Sequence, residues 1–377
     1  MSGSTITSSI NLPILRGIYS KILAHSTSHV CPLMLSGKIP LIAFWQFVSD
    51  VSEATVIRDE PVRIDLSLHK KGTLSIHPTD GSFGRRILDY GIRNIKTLTV
   101  EIAPIWVRNW LKEFVNHDRL EELIIGRKVE KGAFPVLAQI AESVKKLSDK
   151  TGQVVSKLEE GDFEYLSINM MNFSWPQNLL SNMKFTTKYF RCVVDERCET
   201  HTLAAIKRQF AKVSSEKLAA VKTFHIVFNF VRAQRDFQPF IDTIVEIMPN
   251  VRTIVLNLKT EDPGLQRAYK FLPSNIGRTY EGIQQLVPPL GVTIKTKVTS
   301  VTKSFAYDND LELPTRITDA LGCMQRVPLG RNVKVSTSTR ALKNERNRYQ
   351  QFVFDAGNEM GGQKEFSADL TIYVEIY

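Results

Sequence analysis

Short strand-like stretches alternate with amphipathic segments between residues 94 and 303, and this alternation constrains the fold more than any other feature of the sequence. The first stretch alternates in polarity, as a half-buried strand does, with the apolar residues Leu98, Val100 and Ile102. The next segment opens with Pro104, and its aromatic residues recur every four positions, as in a helix: Trp106, Trp110 and Phe114. A second alternating stretch at 120–125 completes a β-α-β unit.

The same order recurs along the rest of this region. Further strands are predicted at residues 163–168, 189–194, 221–228, 251–258 and 292–301. Further helices are predicted at residues 134–147, 175–183, 202–210, 237–248 and 264–272. Strands that alternate with helices of this length favour parallel pairing through helical crossovers, so the sequence predicts the α/β class.

Several predicted strands begin in the same way, with an apolar residue, a polar pair and another apolar residue. This pattern occurs at 95–98, 120–123, 221–224 and 251–254, and it resembles the way in which leucine-rich repeats lead into their inner strand. The strands start roughly 25 to 43 residues apart, a spacing that overlaps solenoid repeats without a fixed period. We therefore expect an irregular leucine-rich-repeat-like strand–helix solenoid, with a closed or doubly wound sheet as the alternative.

The regions on either side of the repeats have a different character. Residues 1–11 are rich in Ser and Thr and are expected to form a flexible tail. Residues 12–90 combine a helical start with two alternating stretches, which indicates a small N-terminal module. The repeat region then covers 91–303. Residues 304–377 are rich in predicted strands and loops, and we expect them to form a β-rich C-terminal segment.

Composition and cysteine usage bound the class of protein. An apolar share of 43% with 23% charged residues is typical of a globular chain. No apolar stretch reaches the roughly 20 residues that span a bilayer, so we expect no membrane association. Four cysteines in 377 residues form no disulfide framework. Because the N-terminus also lacks a signal-like apolar core, we expect a cytoplasmic or nuclear location.

Motifs for catalysis, cofactors and metals are missing from the sequence. The glycines at 357–362 lack the spacing of a phosphate-binding loop and are more typical of a hairpin turn. Cys192, Cys198 and His201 lie close together but lack a fourth zinc ligand. We therefore expect no cofactor, no metal and no enzymatic activity. An enzyme with catalytic residues dispersed along the chain is the alternative.

The net charge of +10 favours binding to an acidic partner. The densest group of cations consists of Arg331, Lys334, Arg340, Lys343, Arg346 and Arg348. Such a group would bind phosphates in a salt-dependent, sequence-independent way. Only Tyr349 is aromatic nearby, so a stacking platform for bases is missing. The pattern therefore favours a solvated charged face, with nucleic-acid binding as the alternative.

The N-terminal module resembles the divergent F-box proteins of nematodes. An F-box begins with Leu-Pro, continues as an apolar helix, passes a turn with Cys and ends near Trp. The matching residues here are Leu12, Pro13, Ile18, Ile22, Leu23, Cys31, Leu41 and Trp45. The resemblance implies that this module docks a Skp-type adaptor of a cullin ubiquitin ligase while the repeat surface selects a substrate. It assigns adaptor contacts to Leu12, Pro13, Ile18, Ile22, Leu23 and Trp45, and it implies no catalysis by the chain itself.

Overall fold

The fold comes from a computed structural model that describes residues 18, 36–68, 72–77, 80–115, 117–170, 184–198, 215–230, 237–261, 277–304, 334–343, 348–359 and 363–376. The chain divides into two compact units, Met1–Phe163 (unit 1) and Glu164–Tyr377 (unit 2). Both units contain helices and strands, which confirms the predicted α/β class.

Unit 1 contains four described helices and six described strands. The helices are α1 (Lys38–Ser49), α2 (Gly81–Gly91), α3 (Ile105–Leu111) and α4 (Phe134–Ala141). The strands are β1 (Glu53–Ile57), β2 (Arg63–Leu68), β3 (Gly72–Ile76), β4 (Thr97–Val100), β5 (Glu122–Ile125) and β6 (Lys146–Asp149). They are ordered β3-β2-β1-β4-β5-β6. β1 to β3 form an antiparallel meander, whereas β1, β4, β5 and β6 are parallel.

The parallel strands of unit 1 share one register. Leu98, Leu123 and Leu147 lie opposite one another in neighbouring strands, and each is fully buried. Just before each strand, a polar residue donates its backbone N–H to the equivalent carbonyl of the neighbouring strand: Glu121 donates to Lys96, and Lys145 to Glu121. The common beginnings of the predicted strands therefore correspond to one repeated backbone arrangement.

Unit 2 is built around longer strands. Its helices are α5 (Ser215–Ala219), α6 (Gln238–Ile247) and α7 (277–285). Its strands are β7 (Gly161–Met170), β8 (Phe185–Cys198), β9 (Thr223–Phe230), β10 (Thr253–Glu261), β11 (Thr293–Ser304), β12 (Lys334–Lys343), β13 (Arg348–Glu359) and β14 (Lys364–Ile376). The order is β7-β8-β9-β10-β11-β14-β13-β12. β8 to β11 and β14 are parallel, and β13 is antiparallel to both β12 and β14.

Even-numbered positions of these strands form the core of unit 2. Phe190, Phe224, Ile254 and Ile294 lie opposite one another and are fully buried. Tyr280 of α7 meets Phe366 of β14 edge-on, with ring centroids 5.3 Å apart, which places α7 on this side of the sheet. The odd-numbered positions of β7 to β11 carry mostly polar side chains and form what we call the polar face.

One predicted helix is wrong in its extent. The apolar spacing predicts a helix over 134–147, whereas α4 ends at Ala141 and Leu147 lies in β6. The four residues of β6 are too few to show an alternation of their own. Residues 146–149 form a strand because they pair with β5, with Leu147 opposite Leu123. The predicted helices at 175–183, 202–210 and 264–272 lie outside the described residues.

The C-terminal strands continue the sheet of unit 2, because β14 pairs in parallel with β11 from Ile294 to Ser304. The predicted N-terminal tail, 1–11, lies outside the described residues. Where the structure describes the chain, none of its helices is both long and apolar enough to cross a membrane.

Candidate functional site

The polar face of unit 2 holds a cluster of aromatic and hydrogen-bonding side chains on three neighbouring strands. It consists of Tyr165 and Ser167 of β7, Tyr189 and Arg191 of β8, and His225 of β9, and we call it the Tyr–Arg–His cluster. The two tyrosines, Arg191 and His225 are half-buried and alternate with fully buried apolar positions of their strands, whereas Ser167 is itself buried. The register between β8 and β9 places Arg191 directly opposite His225.

Direct contacts tie the cluster together. The Tyr189 hydroxyl lies 2.9 Å from Nδ1 of His225, within hydrogen-bond distance. The rings of Tyr165 and Tyr189 are 5.1 Å apart between centroids, a spacing typical of favourable aromatic pairs. Arg191 donates a hydrogen bond from Nη1 to the Ser167 hydroxyl at 3.1 Å. The three strands are thus linked by side chains as well as by their backbones.

The hydrogen-bonded pair Tyr189 and His225 is neutral at pH 7. Burial, together with the nearby Arg191 guanidinium, lowers the pKa of His225 to about 4. Burial also raises the pKa of Tyr189, and Tyr165 adds to this effect. A general acid or base works best with a pKa near the operating pH. The pair is therefore suited to hydrogen bonding rather than to proton transfer at neutral pH.

Among the described residues of the polar face, two buried polar atoms have no hydrogen-bond partner. They are Nε2 of His225 and Oδ1 of Asn257. Asn257 lies opposite Val227, two residues beyond His225 in β9. A neutral imidazole has one donor and one acceptor nitrogen. Because Nδ1 already engages Tyr189, Nε2 is the ring atom left for a further partner.

Helix α1 presents the other surface of interest, in unit 1. It buries Ala43, Phe44, Phe47 and Val48, yet it leaves three large apolar side chains exposed, Ile39 (44%), Leu41 (36%) and Ile42 (40%). A surface helix that is apolar on nearly all sides is typical of an interaction site.

The residues predicted to contact an adaptor are only partly described. Ile18 is 36% exposed. Trp45 is half-buried on α1, and its ring meets Phe83 and Tyr90 of α2 at centroid distances of 6.4 and 5.1 Å. Trp45 therefore also contributes to the packing of α1 on α2. Four predicted contact residues lie outside the described residues: Leu12, Pro13, Ile22 and Leu23.

The predicted basic group falls on two paired strands. Lys334, Arg340 and Lys343 lie in β12, and Arg348 begins β13. The antiparallel register places Lys343 opposite Arg348 and Arg340 opposite Gln351. Arg331 and Arg346 lie outside the described residues.

Sequence reasoning missed the Tyr–Arg–His cluster, although its pattern is present. Tyr189, Arg191 and His225 alternate with buried apolar residues in two predicted strands. That alternation places Tyr189 and Arg191 on one side of β8. Their meeting with His225 depends on which strands are neighbours and on the register, and neither can be deduced from the alternation alone.

The metal candidates add nothing to this site. The Cys192 thiol is buried, and burial raises its pKa, so it behaves as a core residue. Among the described residues, no group of three or more His, Cys, Asp or Glu side chains is arranged to hold a metal ion.

Comparisons with known proteins give one weak structural similarity. No protein-family model matches the chain, and no curated protein matches it. Among solved structures, the chain is similar to InlP of Listeria monocytogenes, with a TM-score of 0.18 and 11% identity over 76% of this chain and 90% of that chain. A similarity at this TM-score carries no argument about fold or function. The resemblance of the N-terminal module to an F-box stays a prediction.

Proposed function

We propose that this chain is a protein-interaction protein that holds a partner on the polar face of unit 2. The Tyr–Arg–His cluster is the observation that carries the proposal. Tyrosine and arginine are enriched among the residues that dominate binding energy at protein interfaces. The cluster places two tyrosines and one arginine side by side, and its hydrogen bonds restrict their conformations before a partner arrives.

The charge state of the cluster supports binding over catalysis. His225 has a pKa of about 4 and is a weak base at neutral pH. The raised pKa of Tyr189 makes its hydroxyl a poor acid. A neutral Tyr–His pair beside an arginine offers hydrogen-bond donors and acceptors without a poised proton. An extended partner fits these properties better than a reacting substrate does.

We further propose that the sheet carrying the polar face is built from irregular repeats. Backbone hydrogen bonds link the starts of neighbouring strands: the N–H of Lys222, just before β9, donates to the Lys188 carbonyl, that of Arg252, just before β10, donates to the Lys222 carbonyl, and that of Thr293, the first residue of β11, donates to the Arg252 carbonyl. Repeat sheets of this kind provide extended binding surfaces, because each strand adds one row of side chains. A solenoid of unequal repeats is the architecture that we infer for this region.

The N-terminal module supplies the second half of the proposal, in which the chain recruits a ligase subunit to a bound substrate in the cytoplasm or nucleus. Its support is the F-box-like order of residues 12–45 together with the exposed apolar side chains of α1. Ile39 and Ile42 are exposed and offer area for a helix of a Skp-type adaptor. In this role the chain binds both proteins and leaves the chemistry to other subunits.

Substitution of the cluster tests the first half. The full chain carrying both Tyr165→Ala and Arg191→Ala is used as bait beside the native chain, with Arg252→Ala as the control because Arg252 is exposed just before β10. We expect a discrete set of proteins whose recovery drops at least tenfold with the double variant and is unchanged with the control. Equal recovery with all three chains would remove the polar face as the binding surface.

A second experiment tests the adaptor separately. The full chain is co-expressed with a Skp-type adaptor, and Ile39→Asp with Ile42→Asp is compared with Ile105→Asp, which alters a side chain that is 74% exposed on α3. We expect co-purification with the native chain and the control, and loss with the α1 variants, because a carboxylate in an apolar interface lacks a partner. If the native chain recovers no adaptor, the ligase role is wrong and the polar face stands alone.

A further inference from the structure

We propose that a groove between α2 and α3 of unit 1 binds an extended peptide segment that carries a basic side chain. The groove has a volume of about 270 Å³. Its floor is apolar and includes Ile76, Leu88 and Trp110, all of them buried. Trp106 forms part of the wall and is half-buried. This site lies on the helices of unit 1 and does not depend on the polar face of unit 2.

The size of the groove favours a segment of chain over a whole small molecule. Pockets that enclose drug-sized ligands measure about 300–1,000 Å³, and this groove lies just below that range. Its lining side chains recur at helical spacing on both sides, with Arg85, Leu88 and Asp89 on α2 facing Asn109 on α3 and Glu113 in the 3₁₀ turn that follows α3. Such a slot between two helices accommodates one or two side chains of a bound peptide.

A buried donor in the groove points to a ligand. Trp110 is only 7% exposed, and its indole Nε1 has no hydrogen-bond partner in the structure. The indole nitrogen can only donate, and a buried tryptophan N–H usually has a partner. Nδ1 of His77, also in the lining, is a second buried nitrogen without a partner. Because Nε1 is covered by its neighbours in the free chain, a backbone carbonyl of a bound peptide would satisfy Trp110 only after a lining side chain moves aside.

The rim selects for positive charge. Asp89 of α2 and Glu113 of the 3₁₀ turn that follows α3 are exposed carboxylates, and within the described part of the chain neither forms an ion pair. Among the described lining residues Arg85 is the single cationic side chain, so the carboxylates outnumber it. A lysine or arginine side chain entering between α2 and α3 would reach both carboxylates. The combination of indole N–H and paired carboxylates therefore matches a basic peptide.

Binding of a defined probe tests the proposal. The probe is a fluorescein-labelled peptide of six residues that alternates leucine and arginine, and its counterpart has glutamate in place of arginine. Anisotropy with the full chain should show binding of the arginine peptide only. The variant with Asp89→Asn and Glu113→Gln should weaken that binding about three- to tenfold, as expected for two exposed ion pairs. The control Glu160→Gln removes an exposed carboxylate of unit 1 outside the groove and should change nothing.

The indole N–H gives a readout that charge alone does not produce. In the full chain labelled with ¹⁵N-tryptophan, the Trp110 indole signal is assigned by its loss in Trp110→Phe, and the three other indole signals show whether that variant folds. The Trp110 signal should move downfield when the arginine peptide binds. An unmoved signal, or equal affinity of the native chain and the Asp89→Asn, Glu113→Gln variant, would overturn the proposal. The first result would leave the ring of Phe114, 4.9 Å away, as the partner of the indole.

Discussion

The two units use the same strand pattern for different purposes. Thr99 in β4 and His225 in β9 both follow the buried apolar residue of the strand, which is Leu98 in one and Phe224 in the other. In unit 1 the two positions that pair with Thr99 carry Thr55 and Ile124. In unit 2 the two positions that pair with His225 carry Arg191 and Val255. The buried position is apolar in both units, whereas the alternate position is free to carry binding groups.

Strand length separates the units in a second way. β4, β5 and β6 have four residues each, whereas β8 to β11 have between eight and fourteen. In unit 1 the chain leaves the sheet early, and Asp149, the last residue of β6, holds the departing loop. In unit 2 the strands continue and extend the polar face. The comparison therefore predicts that unit 1 depends most on its loop contacts.

Replacement of Asp149 should have the largest effect. The carboxylate is fully buried and accepts five hydrogen bonds, from the backbone N–H groups of Thr151, Gly152, Val154 and Val155 and from the Thr151 hydroxyl. Asp149→Ala leaves these donors buried without an acceptor, so we expect a loss of about 3–5 kcal/mol in the free energy of unfolding. Tryptophan fluorescence during urea unfolding measures it, since three of the four tryptophans lie in unit 1.

The control for this variant is Asp118→Ala, which removes an exposed carboxylate and should cost less than about 0.5 kcal/mol. Alkylation of the buried Cys192 thiol reports on unit 2 in the same samples, because burial raises its pKa and protects it in the folded state. If Cys192 became reactive at the same urea concentration at which unit 1 unfolds in Asp149→Ala, the two units would unfold together and would not be independent.

A side chain at Gly126 should have the next largest effect. Gly126 directly follows β5, and its N–H donates to the Val100 carbonyl at 2.7 Å. A Cβ at this position would lie 2.8 Å from the backbone Cα of Glu101. Gly126→Ala should therefore cost about 1–3 kcal/mol of stability through overpacking. The equivalent residue of β9 is Val227, which is buried within a continuing strand. Unchanged unfolding by urea in Gly126→Ala would show that the close approach does not limit unit 1.

The stability of unit 2 should depend on pH through His225. The folded pKa is about 4, whereas an unfolded histidine has a pKa of about 6.5. The unfolded state therefore binds more protons between these values, and stability present above pH 6.5 is lost as the pH falls towards 4. We expect a loss of about 1–2 kcal/mol, reduced from the full shift because solvent reaches part of the ring. His225→Gln keeps a polar side chain and should remove this dependence.

Urea unfolding followed by circular dichroism at pH 7, 6 and 5 measures the difference between the native chain and His225→Gln. Other titrating groups act on both chains and cancel in the comparison. A parallel decline of the two chains would mean that the folded pKa of His225 lies near its unfolded value, and the lowering of this pKa by burial would then be wrong.

The sequence predicted which helices and strands exist better than it predicted where each one begins and ends. Alternation identified β9 and β10, because each has several apolar residues at a spacing of two beside polar ones. It missed β6, whose four residues follow a helix with the same apolar spacing. Of the three aromatic residues predicted to be buried by the helix after β4, Trp110 and Phe114 are buried, whereas Trp106 is only half-buried and Val107 is buried beside it. The spacing of apolar residues shows that one side of an element is buried, but in a short element it does not show which residues lie on that side.

The candidate site was harder to predict, for a physical reason. His225 and Arg191 are 34 positions apart in the chain and meet only through the pairing of β8 with β9. Neither residue belongs to a local motif, so no spacing along the sequence connects them. The sequence also cannot show that the indole N–H of Trp110 lacks a hydrogen-bond partner. The helical spacing predicts that this aromatic residue is buried, whether or not its N–H is bonded. The sequence alone therefore drew attention to the dense basic group, which forms a visible local pattern and was interpreted as a solvated charged face, with nucleic-acid binding as the alternative.

The smallest expected effect concerns an ion pair that crosses from β11 to β14. The Lys295 ammonium lies 2.9 Å from both carboxylate oxygens of Glu365, and both side chains are about half exposed. Exposed pairs of this kind contribute about 0.2–1 kcal/mol, because water and salt screen the charges. A double-mutant cycle with Lys295→Met and Glu365→Gln should give a coupling energy in that range, and the coupling should shrink in 1 M salt. A coupling well above 1 kcal/mol that persists in salt would mean that the end of the polar face is shielded from water. The attachment of β14 to β11 would then depend on this pair as much as unit 1 depends on Asp149.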